Sequence, residues 1–568
     1  MLSVLMFAAA GSLGHGKARS LGPYLDYIDN LPGWGSTPTP QWSGFLNASA
    51  AEPGTMLHYW FAASSSNKCA VEGGGCPVVL WLNGGPGASS ILGMLTEQGP
   101  LIIDNGGKLM ENPYAWTTVA NLLIVESPAG VGYSYCDAML TGGSCKNDDI
   151  STAKALHAGL LDFFRKFPAL TASKFFITGE SYAGVYCPTL AAEIVAGNAK
   201  GGQPHINLTG MAVGDPCTDN DSQRQSMDML WYAHKNALLP DDDYNFLTTQ
   251  CGASHLSSRA SGKWVAQHVL DKSDNGNGNG NGRTRVVSAT TRRPRLSATG
   301  KQSANCTAAF RRYMVASSKG VSQNWERAFV NELSLFSPRA QFRFDIPGTL
   351  NYNTAQWMMS SAVKKALHVD TAPVKAWPGP TAGWSYTSSY AACNDAAPAG
   401  TKSMIDFYRD LAPKLPGKIV VYNGDTDPCV SYEGTRNAIA KVGFKVVSPY
   451  RPWFFNFTAA TPDFLAKKDL LFGPSLSPEA GGAQFGGEIV DYEHDLSFAT
   501  VHGSGHMVPT FRPRAALQLI EHVVSDSAFA PPVPDDASLA AMADDAFDKF
   551  LDAWVDKAES PAFVRTQG

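Results

Sequence analysis

Short apolar runs that end in small, turn-forming residues recur along the chain, and one of them predicts an exposed serine. Residues 175–177 form an apolar run that predicts a buried strand, and Ser181 follows between Gly179 and Ala183. Apolar residues then recur at helical spacing through residues 185–196. A strand, a tight turn centred on a serine and a helix form the pattern of a nucleophile elbow, in which the turn lifts the hydroxyl above the sheet edge.

Other apolar runs predict the sheet around this strand. Before residue 215, five further segments read as strands: residues 42–46, 56–62, 77–82, 122–125 and 211–213. The first two alternate in polarity and predict an antiparallel hairpin, and residues 152–167 predict a helix with one apolar face. Because the later strands alternate with helices, the pattern predicts an α/β fold with a mixed, mainly parallel central sheet.

Two strands in the second half of the chain end in loops that carry titratable side chains. Residues 418–422 precede Asp425 and Asp427, and residues 496–501 precede His502 and His506. A serine, an aspartate and a histidine in that order, each after a strand, match the catalytic triads of α/β-hydrolases. Spacing alone leaves open which aspartate and which histidine would act.

A glycine-rich loop follows the strand at residues 77–82. Glycines at positions 84, 85 and 87 would let backbone amides approach a ligand closely. A phosphate-binding loop is one candidate, but the Lys-Ser/Thr that would follow its glycines is missing. We therefore expect an oxyanion hole, which such a loop contributes to hydrolases with a nucleophile elbow.

The pattern divides the chain into a core, an insertion and two terminal segments. Residues 215–345 form the insertion, with helical stretches at residues 227–236 and 325–336, and its position after a core strand suits a lid. Within the insertion a basic, Gly/Asn-rich loop is predicted to be disordered. The predicted boundaries are a signal peptide at 1–16, the core at 17–214 and 346–525, the disordered loop at 272–302, and an acidic extension at 526–568 with a single amphipathic helix at 539–558.

Composition and short motifs point to a globular protein of the secretory pathway. The 568 residues are 44% hydrophobic with a net charge of −5, which gives no reason to expect nucleic acid as a partner. The apolar start resembles a signal peptide, and the runs that follow are too short to span a bilayer. Cysteines occur in close pairs, Cys69 with Cys76 and Cys136 with Cys145. Glycosylation sequons begin at Asn47, Asn207, Asn220, Asn305 and Asn456.

Four motifs together resemble the serine carboxypeptidases. In chain order they are Trp81-Leu82-Asn83-Gly84-Gly85-Pro86-Gly87, Gly179-Glu180-Ser181-Tyr182-Ala183-Gly184, Asn423-Gly424-Asp425-Thr426-Asp427 and Gly505-His506-Met507-Val508-Pro509. The resemblance implies an α/β-hydrolase fold with a helical lid. It also implies that Ser181 is the nucleophile, His506 its general base and Asp427 the residue that orients His506. It thereby favours Asp427 over Asp425 and His506 over His502.

The resemblance also implies two sets of substrate contacts. The oxyanion hole would comprise the backbone amides of Gly85 and Tyr182. The free C-terminal carboxylate of a peptide would be bound by Asn83, Gly84, Glu97 and Glu180. Glu180, hydrogen-bonded to Glu97, would then have to be protonated, because an ionised carboxylate would repel the substrate's own.

These implications lead to an expected activity and two alternatives. We expect a serine-type exopeptidase that removes C-terminal residues through an acyl-enzyme, favoured at acidic pH, without a metal or other cofactor. The alternatives are an acyltransferase on the same scaffold and a non-enzymatic partner or stabiliser protein. The expected partners are peptide or protein C-termini, and the expected location is the secretory pathway, in a vacuole, a lysosome or the extracellular space. The sequence leaves open whether the protein is a monomer or a homodimer.

Overall fold

A computed structural model describes most of the chain. The described residues are 22–66, 75–104, 107–201, 204–223, 229–251, 303–316, 349–380, 382–394, 396–427, 429–457 and 482–564. The predicted signal peptide, the loop at 272–302 and the helical stretch at 325–336 lie outside these ranges.

The strands of the described residues form one large sheet and two small ones. Their bounds are β1 Gln41–Asn47, β2 Met56–Ala62, β3 Val78–Leu82, β4 Leu101–Ile103, β5 Leu109–Glu111, β6 Asn121–Val125, β7 Lys146–Asp148, β8 Phe175–Glu180, β9 Leu208–Gly214, β10 Ser385–Thr387, β11 Ile419–Gly424, β12 Val446–Phe457, β13 Gly482–Tyr492 and β14 Leu496–Val501. The large sheet has ten strands in the order β1-β2-β6-β3-β8-β9-β11-β14-β13-β12.

The middle of the large sheet is parallel and both edges are antiparallel. The run β6-β3-β8-β9-β11-β14 pairs in parallel, whereas β1, β2, β13 and β12 pair antiparallel. The predicted mixed, mainly parallel sheet is therefore confirmed, as is the hairpin of β1 and β2. The consequence for function is that β8, β9, β11 and β14 all end at the same edge.

Helices follow most of the parallel strands. The α-helices of the described residues are Ile91–Thr96, Asp137–Leu140, Asp149–Lys166, Ala183–Lys200, Asn220–Gln223, Met229–Lys235, Asp241–Thr249, Ala304–Ala316, Thr349–Met359, Ser361–Ala366, Met404–Leu411, Tyr432–Ala440, Val508–Phe511, Pro513–Val524, Asp536–Ala541 and Asp544–Ala558. Short 3-10 helices lie at Tyr24–Asp26, Trp116–Thr118, Pro168–Leu170 and Ala412–Lys414.

Alternating side chains of the central strands bury two separate cores. In β3, Val78 and Leu80 face a core shared with the helices Asp149–Lys166 and Ala183–Lys200. Val79 and Trp81 face the opposite core, to which the helices Ile91–Thr96 and Pro513–Val524 contribute. Because helices cover both faces, the central strands are apolar throughout, which explains their continuous hydrophobic runs in the sequence.

The described part of the segment after β9 contains helices, and disulfides connect it internally and to the core. The helices Met229–Lys235, Asp241–Thr249 and Ala304–Ala316 surround a small core of their own, and Cys251 pairs with Cys306 across it. Cys217 pairs with Cys393, and Cys136 pairs with Cys145 as its spacing predicts. Cys69, the predicted partner of Cys76, lies outside the described residues.

The C-terminal extension differs from the single helix predicted for it. Two helices form, Asp536–Ala541 and Asp544–Ala558, because Met542 leaves the helical conformation between them. The second helix packs onto the domain through Trp554, which is buried and donates a hydrogen bond to the carbonyl of Pro532 at 3.2 Å.

Candidate active site

Ser181 lies in a tight turn directly after β8. Its φ of 62° is in the left-handed region, which a side chain other than glycine rarely adopts. The turn is held by the backbone: the amide of Ser181 donates to the carbonyl of Gly214 at 3.0 Å, and its carbonyl accepts from the amide of Cys217 at 2.9 Å. A Cβ placed on Gly179 would lie 2.5 Å from the carbonyl oxygen of Leu82 and 2.7 Å from the Cβ of Ala183, so this close crossing requires glycine.

The glycine-rich loop after β3 packs backbone to backbone against this turn. A Cβ placed on Gly84 would lie 2.3 Å from the backbone nitrogen of Tyr182 and 2.8 Å from the Cβ of Ser181. Gly85 has a φ of 116°, which favours glycine. Within the described ranges, the amides of Gly84, Gly85 and Tyr182 have no hydrogen-bond acceptor. These amides are therefore available to a ligand beside Ser181.

The parallel strands bring an aspartate and a histidine to the same sheet edge. Glu180 of β8 is in register with Gly214 of β9, and Gly214 with Tyr422 of β11. Asp427 and His506 follow β11 and β14, and Oδ2 of Asp427 lies 2.7 Å from Nδ1 of His506. Strand order and register thus place these loops beside the end of β8.

Backbone amides and His506 hold the carboxylate of Asp427 in place. Both residues are buried, and the carboxylate also accepts the amides of Cys429 at 2.7 Å and Val430 at 3.1 Å. Since an ionised carboxylate only accepts, Nδ1 of His506 carries the hydrogen of the shared bond, which leaves Nε2 as the basic nitrogen. The helix Met229–Lys235 supports this loop, because the hydroxyl of Tyr232 donates to the carbonyl of Thr426 at 2.8 Å.

Asp425 and His502, the competing candidates for the aspartate and the histidine, form a second pair with each other. Oδ2 of Asp425 lies 2.7 Å from Nδ1 of His502. The side chains of this pair are 23% and 60% exposed, against 0% and 6% for Asp427 and His506. Asp425 is also held by the amide of Gly503 at 2.7 Å. The structure therefore separates the four residues into one exposed and one buried pair.

A buried asparagine joins two carboxyl groups beside the elbow. Nδ2 of Asn83 donates to Oε1 of Glu97 at 3.0 Å and to Oε1 of Glu180 at 2.7 Å. Its Oδ1 accepts the indole of Trp81 at 2.9 Å and the amide of Gly93 at 3.1 Å. Because two donors fix the oxygen, the amide nitrogen must face the carboxyls, and all four hydrogen-bonding positions of the side chain are used.

The two carboxyls have raised pKa values. Burial raises the pKa of Glu97 to about 7, against smaller lowering effects of Asn83 and Glu180. Burial also raises the pKa of Glu180 well above its usual range, and the charge of Glu97 acts in the same direction. Oε2 of each residue lacks an N–H donor in the described part of the chain. Because two buried carboxylates at close range repel each other, the pair favours a state that keeps at least one proton.

Asp215 is a site residue that the sequence reasoning missed. It follows β9 directly and is fully buried. Oδ1 accepts the side-chain amide of Asn423 at 3.1 Å and the backbone amide of Gly424 at 2.9 Å. One of its oxygens lies within 4.8 Å of an oxygen of Asp427. A polar residue at the end of a parallel strand between β8 and β11 is the signal that could have identified it.

Glu126, also missed, anchors the glycine-rich loop from behind. It is fully buried directly after β6 and hydrogen-bonds to Ser89, which follows the glycines. Its carboxylate also pairs with Nδ1 of His58 at 2.8 Å and accepts the indole of Trp377 at 2.9 Å. A buried carboxylate that is paired and hydrogen-bonded in this way fixes the loop that carries Gly85.

The sheet order, the strained serine turn and the Asp–His pair at one sheet edge define an α/β-hydrolase fold. The chain belongs to the serine carboxypeptidase family, whose pattern it matches over residues 32–526. This confirms the predicted family and the prediction of a serine-type carboxypeptidase.

Individual relatives agree with this assignment. The chain is 31% identical to the lysosomal protective protein of Mus musculus, over 89% of this chain and 94% of the relative. It is 30% identical to serine carboxypeptidase-like 21 of Arabidopsis thaliana, over 87% and 93%. The crystal structure of Kex1(delta)p, a prohormone-processing carboxypeptidase from Saccharomyces cerevisiae, superposes with a TM-score of 0.58 at 19% identity, covering 91% of this chain and 98% of that one. Because its sequence identity is low, the comparison with Kex1(delta)p supports the fold alone.

Proposed function

We propose that the chain removes C-terminal residues from peptides and proteins through an acyl-enzyme intermediate, and does so best at acidic pH. In this proposal Nε2 of His506 takes the hydroxyl proton of Ser181 as its oxygen attacks the scissile carbonyl. The amides of Gly85 and Tyr182 stabilise the negative charge that develops on the carbonyl oxygen. His506 then donates the proton to the departing amino acid, and water releases the acyl group by the same route in reverse.

The observation that carries the proposal is the Asn83-bridged carboxyl pair. A buried pair with a raised pKa has no evident role in a general esterase, but it can bind a second carboxylate. The protonated member donates to the C-terminal carboxylate of the peptide, together with the amide of Gly84 and with Nδ2 of Asn83, which exchanges one of its two carboxyl hydrogen bonds for one to the substrate. Once Glu97 ionises, the pair carries a negative charge that repels that carboxylate.

The test compares two substrates that differ only in the C-terminal group. We would measure kcat/KM between pH 4.5 and 8 for a blocked dipeptide, benzyloxycarbonyl-Phe-Leu, and for its C-terminal amide. Dipeptide hydrolysis should fall as the pH rises through about 7, where Glu97 ionises, while amide hydrolysis should not follow that fall. Glu97→Gln, which stays neutral at every pH, should remove the difference between the two profiles. Identical wild-type profiles for both substrates would contradict the proposal.

Ser181→Ala is the control for contaminating peptidases, and a covalent probe separates the alternatives. Dipeptide hydrolysis that depends on Ser181 supports the exopeptidase. If a fluorophosphonate labels Ser181 but the dipeptide is not hydrolysed, an acyltransferase would account for the result. An unlabelled, folded protein would favour the non-enzymatic role.

We also propose that the protein acts in an acidic compartment of the secretory pathway or outside the cell. No helix in the described ranges is both long and apolar enough to cross a membrane. Asn47 and Asn305, which begin sequons, are exposed, whereas the side chain of Asn220 donates to the carbonyl of Asn394 at 2.7 Å. Peptide mapping should therefore find glycans at the first two positions and none at Asn220. A protein without glycans from its natural source would contradict this location.

A further inference from the structure

Asp215 lies where it can act on the Asp427–His506 pair. One oxygen of Asp215, one oxygen of Asp427 and one ring nitrogen of His506 lie within 4.8 Å of one another, and all three residues are buried. Oδ1 of Asp215 accepts two hydrogen bonds from β11, as described above. Its Oδ2 has no N–H donor in the described part of the chain, although it is buried. The carboxyl of Asp427 is the neighbouring group with which this oxygen can form a hydrogen bond.

Two adjacent carboxyls can hydrogen-bond only if one of them keeps a proton. Asp427 accepts three N–H groups, from Cys429, Val430 and His506, and these stabilise its ionised form. Asp215 accepts two N–H groups, both at Oδ1. The proton is therefore more stable on Asp215, with its hydroxyl directed at Asp427. Burial, together with the charge of Asp427, raises the pKa of Asp215 well above its usual range.

We propose that Asp215 is a positioning residue that stays protonated and donates a hydrogen bond to Asp427. This bond holds the carboxylate in the orientation that His506 needs and disperses part of its negative charge. The proposal rests on the proposed roles of Asp427 and His506. It adds a third carboxyl group, which acts on His506 through Asp427 and does not touch the substrate.

The groups around Asp215 set the sign of the expected pH effect. It faces Asp427 from the loop after β11, Glu180 from β8, the phenol of Tyr422 from β11, and His506 from the loop after β14. Burial raises the pKa of Tyr422 well above its usual range, so the phenol stays neutral. If the hydrogen bond from Asp215 is lost, more of the charge on Asp427 reaches the imidazolium of His506 and stabilises it. The base then becomes neutral only at higher pH.

A bound cation is the competing explanation for this cluster. Both oxygens of Asp427 and Oδ1 of Asp215 already accept protein hydrogen bonds, and Nδ1 of His506 faces Asp427. One carboxylate oxygen, Oδ2 of Asp215, is left without an N–H donor. A proton between the two carboxyls satisfies that oxygen without displacing any of these bonds.

The experiment follows the rate of Ser181 labelling by a fluorophosphonate as a function of pH. This probe has no C-terminal carboxylate, so the Glu97–Glu180 pair is not needed to bind it. Asp215→Ala should lower the maximal rate about tenfold, the equivalent of one lost hydrogen bond, and move the acidic limb up by about half to one pH unit. Asp215→Asn keeps a donor towards Asp427 and should restore the position of the limb. Asp425→Asn, the same substitution in the exposed pair, is the matched control and should not move it.

Two results would overturn the proposal. One is an Asp215→Ala profile that coincides with the wild-type profile. The other is an Asp215→Asn limb displaced as far as that of Asp215→Ala, which would indicate that packing alone matters. If the Ala variant does not fold, infrared spectra decide: the difference between wild-type protein and Asp215→Asn at neutral pH should show one protonated-carboxyl band lost, because the bands of the Glu97–Glu180 pair cancel. A difference spectrum without that band would overturn the proposal. Because the spectra need no activity, they separate this proposal from the proposed function.

Discussion

Two Asp–His pairs with the same internal geometry lie at the ends of β11 and β14. Asp425 pairs with His502 and Asp427 with His506, and in each pair a carboxylate oxygen lies 2.7 Å from Nδ1. The difference lies in their surroundings. One pair is open to water, whereas the other is buried beside Asp215.

The comparison shows that contact geometry alone does not identify a catalytic pair. Water screens an exposed ion pair, so its contribution to structure or chemistry is small. In a buried pair the same dipoles act at low dielectric and need no reorganisation when charge develops. Asp427 also has its remaining lone pairs bound by backbone amides, so the histidine it holds is fixed. The exposed pair lacks this enclosure.

Replacing each histidine separately should give the largest contrast. We expect His506→Ala to lower kcat/KM for the blocked dipeptide by about 10⁴ or more, because the general base is removed. His502→Ala should stay within about threefold of wild type, because its partner is screened by water. Steady-state kinetics near pH 5 would measure both. A comparable loss in the two variants would show that burial does not distinguish the pairs.

The aspartates should show the same contrast with a smaller effect. Asp427→Asn keeps the shape of the side chain but favours the wrong tautomer of His506, so kcat should fall by about 10³ to 10⁴. Asp425→Asn should change kcat less than about threefold. The two variants can be compared by kinetics alongside active-site titration with the fluorophosphonate. If Asp425→Asn proved the more damaging change, the assignment of the orienting aspartate would be wrong.

A pH profile should show that the exposed pair does not control substrate binding. Dipeptide kcat/KM should fall about tenfold per pH unit above about 7, because the protonated carboxyl pair binds the substrate and Glu97 ionises there. Glu97→Gln should move or remove this limb, since the glutamine cannot ionise. His502→Gln should leave it in place. A limb that moved with His502 would assign the pH dependence to the exposed histidine.

Stability should show the smallest differences. Asp427→Ala leaves two amides and the ring of His506 without a buried acceptor, which we expect to cost about 3 kcal/mol of unfolding free energy. Asp425→Ala should cost about 1 kcal/mol or less, because the pair it breaks is exposed. Urea unfolding at constant pH would measure the two values. Equal costs would mean that solvent replaces the lost hydrogen bonds equally well at both positions.

The sequence predicts the sheet and the elbow well because these depend on local patterns. Apolar runs match the bounds of β3, β6, β8, β11 and β14 to within three residues, since strands buried on both faces need apolar side chains at most positions. The edge strands β12 and β13 were missed. Their register shifts at several points, so no regular alternation marks them in the sequence.

The site residues that were missed depend on contacts between distant parts of the chain. Asp215 hydrogen-bonds to Asn423, 208 positions away, and Glu126 to Trp377, 251 positions away. Local composition carries no information about such pairings, and a single aspartate after a strand is usually a turn residue. The roles assigned by resemblance to Ser181, Asp427 and His506 remain predictions until the variants are measured.

The fixed side-chain amide of Asn83 has a consequence for where the protein is active after its synthesis. Because Trp81 and Gly93 hold the side-chain oxygen of Asn83, its nitrogen stays directed at the carboxyls at every pH, and only the ionisation of the pair changes the site. Under the proposed role the protein can therefore fold completely at neutral pH and yet hydrolyse peptides more slowly than in acid. Acidification alone would then raise its peptidase activity, without cleavage of the chain or a conformational change. The newly made enzyme would therefore hydrolyse other proteins more slowly before it reaches an acidic compartment.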